Sequence, residues 1–228
     1  MKHELETKNY FFILVGVVAI LIIFNQFAIN SLASSVGTKS SFFSSDVDLD
    51  DVNINEIKST QQAVALLFPV NEIKTQEDAI RIMIPTGTPD YGDAMGVTFD
   101  DPVTSLSKLE KAYPVLKQEL KQDQELWQRY LNLAAKPTGI SCEFCCGIGA
   151  QGIDAKGELR CGCSHNPAVH TVTMWLMKNT EYSDAEILRE VMKWKTIFFP
   201  RDMTKVALNV AGKDVSELED LPGMVGGC

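Results

Sequence analysis

The chain opens on an unbroken apolar run and then turns to apolar positions spaced for helices. From Tyr10 to Phe24 the sequence YFFILVGVVAILIIF carries no charge, and the apolar character resumes through Phe27, Ala28 and Ile29. A helix of about 20 such residues covers about 30 Å, the thickness of a bilayer's hydrocarbon core. Residues 10–30 are therefore expected to be a transmembrane anchor or an uncleaved signal. The rival is a cleaved signal peptide, because Ser31-Leu32-Ala33 places small residues at a cleavage position. Lys2 and Lys8 precede the run and no Lys or Arg follows until Lys39. That bias puts residues 1–9 in the cytoplasm and the main domain outside the cell membrane.

Residues 31–56 read as a linker, first serine-rich and then acidic (DVDLDDVNINE). A helical domain is expected over 57–211. Thr75 and Asp78 form a capping-box start for a helix that Pro85 ends. Asp101-Pro102 opens another as N-cap and first position. Pro114 is expected to start a longer helix through Leu116, Leu120, Leu126, Tyr130 and Leu133, before Lys136-Pro137-Thr138-Gly139 breaks it. Asn166-Pro167 reads as the N-cap and first turn of a helix through Val172 and Leu176. Ser183 with Glu186 caps the next, whose stripe of Ile187, Val191, Trp194 and Phe198 points to a core, and Pro200 closes it. The expected fold class is all-α, a small bundle of four to six helices with a Cys/His-rich loop, tethered to one N-terminal transmembrane helix. Residues 212–228 form a tail with no expected structure.

Charge narrows the partner classes. The net charge of −9 is concentrated after residue 45, where 18 Lys and Arg face 28 Asp and Glu. With no basic stripe to meet phosphates, nucleic acid is not an expected partner. The membrane, through residues 10–30, is one. The motifs of phosphate-binding loops, HExxH metalloproteases and GxSxG hydrolases are missing from the sequence.

The cysteines change the picture most. Five of the six, Cys142, Cys145, Cys146, Cys161 and Cys163, fall in one short stretch, and Cys228 is the last residue. His165 and His170 follow directly. Cys142 and Cys145 are spaced for a turn that presents two sulfurs to one metal. His165 and His170 sit at a helix start, whose partial positive charge favours thiolates at Cys161 and Cys163. Metal binding by this cluster is the first expectation. Cys142, Cys145, Cys161 and Cys163 are the first thiolate ligands, His165 and His170 are imidazole ligands or their supports, and Cys146 and Cys228 are held in reserve. Zinc is the first metal, with copper next because Met174 and Met177 follow on one helical face, and iron–sulfur a further option. Thiol–disulfide exchange on exported protein partners is the competing expectation, since Cys142 and Cys145 form a C-x-x-C. Two structural disulfides are the bland alternative.

The runs SCEFCCG, RCGCSHN and KWKTIFFP together resemble a group of uncharacterised membrane-anchored proteins of archaea and related microbes. These share C-x-x-C-C-G, C-G-C-[SA]-H and K-W-K-x-x-F-F-P blocks. The resemblance spans about residues 80–205 and implies that the cluster is one unit, without naming its chemistry. Leu159-Arg160-Cys161 before a helical pair is similar, more weakly, to the thioredox module of cytochrome c maturation. That module has C-x-x-C where this chain has Cys161-Gly162-Cys163, which puts the implied thiol exchange in doubt.

Overall fold

In the computed structural model the described residues are 47–215, 218 and 220–227. The expected cytoplasmic segment over 1–9, the expected anchor over 10–30, residues 31–46 of the expected linker and Cys228 lie outside them. Among the described residues no helix is long and apolar enough to cross a membrane.

The described part is all-helical: α1 Thr60–Leu67, α2 Gln76–Met83, α3 Gly92–Met95, α4 Pro102–Gln122, α5 Gln124–Ala134, α6 Glu143–Cys146, α7 His165–Asn179, α8 Asp184–Phe198 and α9 Pro200–Val210. Their starts are written in capping residues. Thr75 and Ser183 complete the two capping boxes with Asp78 and Glu186, and Asp101 caps α4 with Pro102 in its first turn. The end of the expected linker is part of the body. Leu49 is buried, with Val47, Val52 and Ile54 packed against the same core.

Two expectations are corrected and a third is extended. Pro114 does not start a helix but lies inside α4. It is exposed, and the helix continues past it with one backbone N–H fewer. The break comes at Asp123, which ends α4 and whose carboxylate caps α5 by accepting from Glu125 and Leu126 N–H. Asn166 is not the cap of α7, which begins at His165, two residues before the expected Pro167, after the cap Ser164. Its side chain turns instead to donate to Gly152 O at 2.9 Å. Pro200 closes α8 but also opens α9, whose Met203, Val206 and Ala207 are buried.

α7 is the centre. Every residue from His165 to Met174 is buried, the signature of a helix covered on all sides. It packs most extensively on α4, and next on α8 and α5, while α9 crosses α1, α2 and α8. Thr171 Oγ1 donates to Leu109 O at 2.8 Å across the α4–α7 seam. Under α8, the Trp194 ring meets Phe99 at 4.7 Å and its Nε1 donates to the Tyr91 hydroxyl at 2.8 Å. Tyr91 in turn donates to Glu190.

Leu109, 1% exposed at that seam, is expected to be costly to truncate. Leu109→Ala should lower the unfolding free energy by about 3 kcal/mol in urea titration, the sum of lost transfer energy and a cavity.

Candidate metal centre

Two arms deliver the sulfurs, and backbone pairing brings the arms together. Gly139 N donates to Ala150 O and Gly152 N donates to Ile140 O, so the segment before Cys142 lies beside residues 150–152. Arg160 N donates to Gly152 O, which lays the segment before Cys161 along the other side of the same residue. Between them the chain reverses at 154–158. The Asp154 carboxylate accepts from Lys156 and Glu158 N–H there, and Gly157, at φ +79°, takes the left-handed turn against the Trp127 ring.

The four Sγ atoms of Cys142, Cys146, Cys161 and Cys163 all lie within 4.8 Å of one another. Cys142 and Cys163 are 3.0 Å apart, Cys142 and Cys146 4.0 Å, and Cys146 and Cys161 are disulfide-bonded. The sequence spacing favoured Cys145 over Cys146, and the helical turn reverses that choice. Cys142 and Cys146 flank one turn of α6 at i and i+4, which puts them on one face. Cys145 falls instead within 4.8 Å of Cys163 and His165, a second group that shares Cys163 with the first.

His170 belongs to neither group. Its Nδ1 lies 3.0 Å from the Tyr130 hydroxyl, and its Nε2 abuts Gly152 without a hydrogen-bond partner among the described residues. Burial, reinforced by the Lys117 ammonium, holds its pKa down at about 3, so the imidazole is neutral. Met174 and Met177 are buried in the core.

The electrostatics favour a thiolate at Cys163. Its pKa is lowered to about 4, first by the hydrogen bond with Cys142 and then by His165 and the Asn166 backbone N–H. Cys142 is pushed up, by that same hydrogen bond and by burial, so the two sulfurs hold one proton between them. A charged network that sequence reasoning missed anchors α6 to the bundle. Lys195, fully buried on α8, donates to Glu143 at 2.8 Å, Gly139 O at 2.9 Å and Thr60 Oγ1 at 3.0 Å. Thr60 also donates to Glu143. Burial lowers the Lys195 pKa, and the Glu143 charge opposes that shift. A signal was available, since Lys195 stands four residues after Val191 and three before Phe198, inside the apolar stripe.

No family model, curated protein or solved structure matches the chain. The cluster's capacity to hold a metal therefore rests on its own donors and distances.

Two outcomes check this description. Lys195→Met strands the Glu143 carboxylate and the Gly139 carbonyl, and should cost about 3 kcal/mol. Adding Glu143→Gln should recover part of it in urea unfolding. His170 sets a pH dependence. Between its ordinary 6.5 and its folded value of about 3, the unfolded chain binds a proton that the folded chain does not. Stability should therefore fall with falling pH through that window, by about 1.4 kcal/mol per unit from this group, and His170→Gln should flatten the slope by one proton.

Proposed function

We propose that the chain is a membrane-anchored, extracytoplasmic metal-binding protein in which Cys142, Cys146, Cys161 and Cys163 hold one zinc ion. The observation that carries this reading is the convergence of four sulfurs from two arms within 4.8 Å. A zinc tetrathiolate with bonds of about 2.3 Å has sulfur–sulfur edges of about 3.8 Å. The 4.0 Å and 3.0 Å separations of Cys142 from Cys146 and Cys163 bracket that edge. The donor set is soft and complete, which suits zinc and, as second choice, copper(I). The residues bind and orient: the α6 turn supplies Cys142 and Cys146, the second arm supplies Cys161 and Cys163, and Lys195 holds α6 in place while lying close enough to offset thiolate charge. The anchor is proposed from the apolar run at 10–24.

A second reading rests on the disulfide between Cys146 and Cys161. Cys146 is exposed, so an external thiol can reach it. In that reading the Cys146 thiolate attacks a disulfide of an exported partner, and Cys161 resolves the mixed disulfide. Two electrons pass to the partner, which leaves as a dithiol, and Cys146 and Cys161 are left bonded.

Full-length chain purified anaerobically under thiol reductant should carry stoichiometric zinc by elemental analysis. Cys142→Ser and Cys163→Ser should reduce its zinc affinity by at least tenfold, and chelator should lower the stability of the wild type. A chain with no metal, whose thiols titrate reversibly whether or not chelator is present, would favour the exchange reading and reject zinc.

A further inference from the structure

His165 is held as a metal-ligating histidine is held. It is 0% exposed, with the Phe198 and Phe199 rings at 5.3 Å and 4.9 Å. Its Nε2 lies 2.8 Å from Val225 O, and because a carbonyl only accepts, the proton sits on Nε2. Nδ1, on the other side of the ring, is buried and makes no hydrogen bond of ordinary geometry among the described residues. A buried ring nitrogen that makes no such bond is costly unless a partner fills its place. Ligating histidines characteristically donate their other N–H to a carbonyl in this way. The carbonyl is itself fixed, since Val225 N donates to Phe198 O at 2.8 Å and Gly226 packs on Leu106. The tail that the sequence left without structure is thus strapped over the end of α8, and it orients this ring.

We propose that Cys145, Cys163 and His165 Nδ1 form a second metal site, for a thiophilic ion such as zinc or copper(I), sharing the Cys163 sulfur with the four-sulfur site. The Cys145 and Cys163 sulfurs and a ring nitrogen of His165 lie within 4.8 Å of one another. Three protein ligands leave a fourth position open, unlike the four-sulfur site, whose donors close a tetrahedron. The open position takes water or a thiolate from outside the chain, which is the arrangement needed for an ion that is exchanged rather than locked in. The bridge through Cys163 rests on the four-sulfur reading, but the three donors do not. The Cys146–Cys161 disulfide withdraws two ligands from the first site and none from the second, so the second site persists in the oxidised chain.

The test uses full-length chain loaded with zinc and freed of excess. Reduced wild type should retain two zinc ions and the disulfide form one. Cys145→Ser should retain one when reduced and none when oxidised, with cobalt substitution of the reduced variant giving an all-sulfur spectrum that lacks the mixed sulfur–nitrogen component of the wild type. One zinc in reduced wild type and none in the oxidised form would overturn the second site and leave the four-sulfur site standing. One zinc in both forms, lost in Cys145→Ser, would support the second site and reject the first. Two zinc ions retained in reduced Cys145→Ser, or none in any form, would overturn the proposal.

Discussion

The sulfur cluster exists because three segments meet at the backbone of Gly152. Its N–H reaches Ile140 O at 3.1 Å on the Cys142 arm, and its carbonyl accepts from Arg160 N–H on the Cys161 arm at 2.9 Å. The same carbonyl accepts from Asn166 Nδ2, which ties in the start of α7 and the histidines it carries. A Cβ at this position would collide with His170 Nε2, Asn166 Oδ1 and Ile140 O. Close approach of backbone, rather than an unusual torsion, is what requires glycine here. Two arms joined by a polar, hydrogen-bonded hairpin would otherwise pay a loop entropy that four scattered thiols could not offset.

The bundle accepts two groups that resist burial, and both border the cluster. His170 enters neutral, which removes the Born cost but leaves Nε2 against Gly152. Lys195 keeps a carboxylate, a carbonyl and a hydroxyl as partners. A buried pair of this kind is no more stabilising than well-packed apolar residues of the same volume. What it supplies is placement, because Glu143 directly follows Cys142 and the ammonium fixes the one turn from which Cys142, Cys145 and Cys146 project. The α4–α7 seam, by contrast, is apolar over most of its length and supplies cohesion.

Local signals were legible in the residues, and their tertiary consequences were not. The capping pairs Thr75 with Asp78 and Ser183 with Glu186 marked helix starts, since each is a contact within four residues. Trp194 as a core anchor followed from its stripe. Pro114 misled because a proline in an exposed helical position looks in sequence like a first turn. Asn166 misled for the opposite reason, its side chain being claimed by a carbonyl fourteen residues away. At the cluster, the convergence of cysteines with His165 was readable while the partition into two groups was not. C-x-x-C spacing favours Cys145 beside Cys142, but the α6 turn aligns Cys142 with Cys146 and sends Cys145 toward His165. The tail carried no periodic signal because it is held by scattered contacts, such as the buried Leu218 and the Val225 carbonyl, and not by a regularly repeating apolar face.

Metal binding and disulfide chemistry draw on the same atoms, which sets a limit on what the cluster can do at one time. Cys146 and Cys161 joined together offer no thiolate pair, so a four-sulfur site would be available only to the reduced chain. Cys163 stands apart from that choice: it is outside the disulfide, its thiolate is favoured, and it borders both donor groups. A two-electron change at Cys146 and Cys161 would alter the number of free thiols around Cys163, which lies outside the disulfide and just before the start of α7. Coupling of thiol oxidation to metal occupancy needs no large motion in such an arrangement, because the arms are already paired at Gly152 in the disulfide-bonded state. The helix start that holds Cys163 also holds His165, so the constant part of the cluster is the part built on the central helix, and the variable part is the exposed turn of α6.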